Sequence, residues 1–212
     1  AARNEVVGFQ LILEKLVASL TNVQVSVSDL AGAGTIAATP NIELFRSWYV
    51  NSSGTFYPDA CIPLAAPFGT SFNIPNATNA IPGQTNQAVW VDIYVPKTVP
   101  AGNYTGTVTV TADQLTSPLQ IGVELTVRRW QLPDQVTYIV DLNGYHTPWA
   151  WGGGQDVALT KLRYFQLAHK HRQNVNTVPY SHTLNTDFSA SVDGDRIPVL
   201  TGAGATLQVA SW

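Results

Sequence analysis

The sequence predicts a mostly β protein, with an N-terminal antiparallel β-sandwich over residues 1–133 and an incomplete α/β segment over residues 134–212 that has the grammar of the first units of a (β/α)8 barrel. Three observations carry this expectation. Apolar and polar residues alternate through Ala88–Val95, which is the period of a strand with one buried face. Further β-branched runs follow at Gly102–Val110 and Leu119–Arg129. Beyond Pro133 the pattern changes to a short apolar run, a helical stretch and a second short run, which is the order of a βαβ unit.

Taken in order, Ala2–Leu13 passes from a polar tip to an apolar run that reads as a strand entering a core. A helix over LILEKLVASL is the rival reading, since Leu11, Leu13, Leu16, Val17 and Leu20 could line one helical face. The faultless alternation of Val23–Leu30 favours strands here, and AGAGT after it reads as a turn. Asn41–Val50 is a further strand with bulky aromatics. The proline-rich stretch Asn51–Gln87 shows no periodic run and is expected to be a loop lying across the sandwich. In Ala88–Val95 the residues Val89, Val91, Ile93 and Val95 share one face, while Trp90, Asp92 and Tyr94 share the other, and Trp90 and Asp92 are read as structural. With PKTVPAGN between them, Ala88–Val95 and Gly102–Val110 are expected to pair as a hairpin. Trp130–Pro133 ends the front domain.

After that boundary, Val136–Leu142 is apolar on both faces, as in a strand covered on both sides. Asp156–Arg172 reads as a helix that Asp156 could cap, with Leu159, Leu162, Phe165 and Ala168 at helical spacing and basic residues near its end. Asn174–Tyr180 is the second strand, and Val192–Pro198 looks like a small hairpin.

Composition bounds the function classes. Charged residues are 12% of the 212-residue chain, the net charge is −3 and no basic run occurs, so neither nucleic acid nor an anionic membrane is an expected partner. No stretch of eighteen apolar residues is present, so no membrane insertion is expected. Low charge with abundant Thr, Asn and Gly leans toward an extracellular or cell-surface location. The first residue is Ala1 and methionine is absent throughout, which fits a processed product or a piece of a longer chain. Asn51, Asn76 and Asn103 match the N-glycosylation acceptor pattern, at a frequency little above chance, and serve as surface markers.

The residues suited to ligand chemistry gather after the two barrel-like strands. Asp141, Asn143, Tyr145, His146, Trp149 and Trp151 follow the first, and Tyr180 and His182 follow the second. Tryptophan faces suit the apolar faces of sugar rings, while Asp, Asn and His meet hydroxyls, so the expected ligand is carbohydrate. Packing of Trp149 and Trp151 at the domain junction is the competing reading. Cys61 has no partner for an internal disulfide and reads as an inert residue of a wet loop. His169 and His171 are two apart on the helix, unlike the i, i+4 pair of a zinc site, and no metal or cofactor is expected.

The runs ARNEVVGFQLIL, NIELFRSWYV, WVDIYVPKTVPAGNYTGTVTV, LTVRRWQLP and LAHKHRQN together resemble the glycoside hydrolase family 123-like proteins over most of residues 1–180. The resemblance implies a sandwich followed by a (β/α)8 barrel that hydrolyses N-acetylgalactosaminides. It also implies substrate-assisted chemistry, in which the acetamide oxygen attacks, an aspartate orients it and an adjacent glutamate protonates the leaving oxygen. No adjacent Asp-Glu pair exists in this sequence, and Asp193-Gly194-Asp195 reads as a turn, so no catalytic residue is assigned. The expectation is a glycoside hydrolase-like N-terminal portion, inactive alone. The alternative is a non-catalytic extracellular module that binds carbohydrate or self-associates through sheet edges to build a surface layer or filament.

Overall fold

A computed structural model describes residues 1–16, 18–135, 141–143 and 157–176, and for 141–143, 157–162, 165 and 174–176 the backbone alone. The chain divides into two compact units, Ala1–Leu132 and Pro133–Trp212.

In the first unit, a four-stranded sheet has the order β1-β8-β5-β6, built from β1 (Glu5–Glu14), β5 (Ile42–Ser52), β6 (Thr55–Pro63) and β8 (Asn86–Val95). The second sheet contains β2 (Leu20–Val27), β3 (Leu30–Gly32), β4 (Thr35–Ile36), β7 (Phe72–Ile74) and β9 (Gly102–Thr111), with β10 (Leu119–Val127) on the far side of β9. All pairings between these strands are antiparallel. The short element α1 (Ala38–Asn41) is kinked, because Thr39 and Pro40 leave helical φ/ψ, and it leads directly into β5.

The core forms where the two apolar stripes meet. Val89, Val91, Ile93 and Val95 of β8 are fully or nearly fully buried, and so are Tyr104, Val108 and Val110 of β9, Val23 and Val25 of β2 and Leu30 and Ile36 of the small β3–β4 pair. Each such side chain contributes about 1.5–3 kcal/mol of burial free energy, which makes this stripe-on-stripe contact the main stabilising feature. The alternation read from Ala88–Val95 is the one the strand adopts from Val89 on, while Ala88 is buried as well.

The partner expected for that strand is corrected. β8 and β9 do not form a hairpin, because β8 pairs with β1 and β5, while β9 pairs with β2, β3 and β10. The segment Pro96–Ala101 instead carries the chain from one sheet to the other. Val99 within it is buried in the core, and Tyr104 Oη donates to the Pro100 carbonyl at 2.7 Å, tying the crossover to the second sheet. A two-residue primed turn would have kept the strands in one sheet, whereas six residues with a buried valine cross the sandwich edge. The true hairpin partner of β9 is β10, in unbroken register from Leu119↔Val110 to Val127↔Gly102.

The stretch expected as a loop is also corrected. Asn51–Gln87 contains β6, which pairs with β5 through a register shift at Trp48/Tyr49, and β7, which pairs with β2. Cys61 accordingly lies on a strand, exposed. Its thiol is pushed up by partial burial and by the negative charges of Asp92 and Asp59, which disfavours the reactive thiolate. The irregular remainder is held by side-chain amides standing in for strand partners. Tyr49 N donates to Asn79 Oδ1 at 2.9 Å while Asn79 Nδ2 donates to the Tyr49 carbonyl at 2.7 Å. Gln84 accepts from Asn76 N at 2.6 Å and donates to the Asn86 carbonyl, and Gln87, 1% exposed, donates to the Ser47 carbonyl at 2.7 Å.

The first three residues close the unit from below. Ala1 donates to the Thr126 carbonyl and accepts from Arg128 N, and Arg3 donates to the Trp130 carbonyl and accepts from Leu132 N, which makes a short parallel ladder. Asn4, buried at a positive φ of 61°, donates from Nδ2 to the Leu132 carbonyl and accepts from Tyr94 Oη.

Gln87→Leu keeps the volume but leaves the Ser47 carbonyl buried without this donor, and the expected cost is about 1–3 kcal/mol. Chemical denaturation monitored by tryptophan fluorescence checks it, the expected result being a lower midpoint with an unchanged slope.

Candidate functional site

Two of the residues read as ligand-binding, Asp141 and Asn143, fall within the described part of the second unit. β11 (Asp141–Asn143) and β12 (Asn174–Asn176) pair in parallel, with Asp141 opposite Asn174 and Asn143 opposite Asn176. Between them runs α2 (Val157–Lys170), so strand, helix and parallel strand follow in the expected order. Strand alternation assigns positions 141, 143, 174 and 176 to one face of the pair and 142 and 175 to the other. Asn174 and Asn176 were missed as candidates by the sequence reading. The signal was present, because DLN and NVN are both polar-apolar-polar triplets.

The register depends on how α2 ends. Gln173 N donates to the Ala168 carbonyl at 2.8 Å and Arg172 N to the His169 carbonyl at 2.9 Å, the paired bonds of a Schellman motif. The left-handed position is Arg172, with φ of 61°, where glycine is usual. Its guanidinium donates from Nη1 to the Pro133 carbonyl, a long-range bond that offsets the local strain. Ala168 is buried, as its place on the helical stripe predicts.

Burial lowers the His169 pKa below the ordinary value of 6.5; the positive charge of Arg172 lowers it further and Asp134 opposes them. Burial likewise lowers Lys170. Among the described residues, no three His, Cys, Asp or Glu side chains gather as a metal site would require. No helix among them is long and apolar enough to cross a membrane.

Of the candidate ligand-binding residues, Asp141 and Asn143 lie on β11, whereas Tyr145, His146, Trp149, Trp151, Tyr180 and His182 lie outside the described residues. So do Asp156 and the Val192–Pro198 segment. The glycosylation candidates separate by environment. Asn51 and Asn103 are exposed; Asn51 Oδ1 accepts from Gly54 N and Asn103 Oδ1 from Thr126 Oγ1. Asn76 is 7% exposed and its Oδ1 accepts from Asn79 N, so in the folded chain this acceptor is covered.

The family model described as the glycoside hydrolase 123 N-terminal domain matches residues 1–112, the sandwich through β9. The chain belongs to this glycoside hydrolase 123 N-terminal domain family. A solved family 123 glycoside hydrolase from Clostridium perfringens, studied for glycolipid glycan hydrolysis, has a similar fold. The TM-score is 0.55 at 17% identity over 79% of this chain, which spans 27% of that enzyme. The CooA pilin subunit of enterotoxigenic Escherichia coli aligns with a TM-score of 0.31 at 11% identity, over 61% of this chain and 82% of its own, a likeness too slight to argue from. No curated protein matches the chain. Membership makes this a glycoside hydrolase-like protein.

Acid should destabilise the second unit through His169. Its folded pKa is depressed, so the unfolded chain binds the proton more readily, and stability present above pH 6.5 is lost as pH falls through the range below it. Hydrogen exchange across Val157–Lys170 between pH 7.5 and 5 should show falling protection, and His169→Gln should flatten that dependence.

Proposed function

We propose that this chain is the N-terminal portion of a secreted glycoside hydrolase-like protein, in which the sandwich supports a (β/α)8 barrel that cleaves N-acetylhexosaminides. The observation that carries the reading is the family match over the sandwich, followed in the chain by a parallel strand–helix–strand unit. In such a unit the C-terminal ends of the strands form the ligand side, and Asp141 and Asn143 stand on the first strand with the Tyr145–Trp151 segment following. That segment is the proposed substrate wall, with Tyr180 and His182 contributing from beyond the second strand. The catalytic Asp-Glu pair is assigned to sequence outside these 212 residues, since none occurs within them. Low charge supports the extracellular placement.

Incubated with an aryl N-acetylgalactosaminide, the 212-residue chain should release no aryl alcohol, and turnover would place the catalytic acids within it after all. The substrate wall has its own check. Trp149→Ala with Trp151→Ala should weaken retention of the chain on an immobilised N-acetylgalactosamine glycan about tenfold or more, the loss of one good aromatic contact being worth that much. Undiminished retention would remove the wall.

A further inference from the structure

The outer face of the four-stranded sheet carries an apolar row that packing does not require. Register places Gln10, Trp90, Phe45 and Pro63 side by side across β1, β8, β5 and β6. Trp90 is 37% exposed, Phe45 and Pro63 are half-buried, and Ile12, 55% exposed, lies one row away opposite Ala88. Trp90 and Asp92, read from the sequence as structural, thus stand on the sheet's solvent side. At about 4.8 Å between neighbouring strands, the row from Trp90 to Pro63 is about 10 Å long, while Ala88 and Ser47 on the same face are buried. An exposed tryptophan beside a half-buried phenylalanine and proline, on adjacent strands of one row, offers an apolar strip to a ligand.

The row beside it is polar. Gly8, Asp92 and Glu43 are successive partners across β1, β8 and β5. A Cβ at Gly8 would lie 2.6 Å from Asp92 Oδ1, so the missing side chain lets the carboxylate lean over β1 at Gly8. The charged residues at the outer positions of these four strands are Glu14, Glu43, Asp59 and Asp92, all acidic; Arg46 is on the opposite face, its guanidinium against Trp48 and Phe72.

We propose that this face is a carbohydrate platform distinct from the Asp141–Trp151 segment, taking about two neutral hexopyranose units of a glycan. The apolar faces of the rings lie on Trp90 and Phe45, and their hydroxyls donate to Asp92 and Glu43 and exchange hydrogen bonds with Gln10. Pyranoses alternate apolar ring faces with hydroxyl edges at the scale over which this surface alternates aromatic and acceptor rows. Acidic neighbours repel sulfated or uronic glycans, so the ligand is neutral. The proposal rests on the family reading, which makes carbohydrate the ligand class.

Isothermal titration of the 212-residue chain with chitotetraose, cellotetraose and a heparin tetrasaccharide tests it. Binding of at least one neutral probe, none of heparin, and a loss of affinity of about tenfold or more in Trp90→Ala with Trp90→Phe closer to the parent are expected. In the unmodified protein, hydroxyl-radical footprinting with mass spectrometry should show Trp90 protected by the same probe, which decides the matter even if Trp90→Ala does not fold. Sugar binding that Trp90→Ala leaves intact but Trp149→Ala with Trp151→Ala abolishes would overturn the platform and leave the barrel-side wall standing. The reverse pattern supports the platform and removes the wall. Absence of binding to every neutral probe overturns the platform. So does self-association by sedimentation that Trp90→Ala abolishes without any sugar protection, because the face would then belong to a second copy of the chain.

Discussion

The first unit depends on one event in the chain, the change of sheet between β8 and β9. Both strands carry a single apolar stripe, and each stripe needs an apolar surface opposite it. Had the two strands paired in one sheet, their stripes would lie side by side and both would still need covering. By crossing at Pro96–Ala101 they face one another instead, and Val99 fills the edge where the crossing occurs. Tyr104 then fixes the geometry, because its ring is fully buried and its hydroxyl is spent on the Pro100 carbonyl. The remaining strands add to sheets whose separation and facing this crossover has already set.

The ends of the unit depend on that arrangement in turn. Ala1–Arg3 pair with Thr126–Leu132 before β1 enters the four-stranded sheet, so the first strand begins beside one sheet and continues in the other. Asn4 makes this turn possible, as its positive φ redirects the chain while its amide bridges Leu132 and Tyr94. The link from β10 toward the second unit is therefore tied down by hydrogen bonds up to Leu132, not merely by sequence adjacency.

Much of this is legible in the sequence, and what is not has a physical reason. Strand positions and faces were readable because alternation is a local property, and it holds residue by residue from Val89 to Val95. Which strand pairs with which was not, since a stripe of valines is satisfied equally by a neighbour in the sheet or by the opposite sheet, and Pro96–Ala101 offers no primed-turn dipeptide to decide between them. β6 and β7 were invisible for another reason. In TFYPDACIP the apolar positions do not alternate, because β6 is an edge strand with a register shift and most of its residues are exposed. The amides of Asn76, Asn79, Gln84 and Gln87 looked like loop polarity in the sequence, yet they are buried or partly buried and replace ladder hydrogen bonds. On the site side, the strand–helix–strand order was readable, but the pairing of Asp141 and Asn143 with Asn174 and Asn176 required the register.

The two outer faces of the sandwich show how far physics alone determines a β protein. Inner faces are constrained, because any residue there must fill space at crystal-like density. Outer faces are constrained only by strand propensity and solubility, and threonine satisfies both, which is what β9 does with Thr105, Thr107, Thr109 and Thr111, beside Gln24 and Ser26 of β2. The four-stranded sheet departs from that solution at Trp90 and Ile12, which are exposed, and at the half-buried Phe45. Apolar area left in water contributes nothing to folding, so Trp90 and Ile12 on this face, with acceptors beside them, point away from the core and toward a ligand. In a fold whose interior is dictated by packing, the exterior rows that packing leaves undetermined are where a functional difference between sandwich domains has to be written.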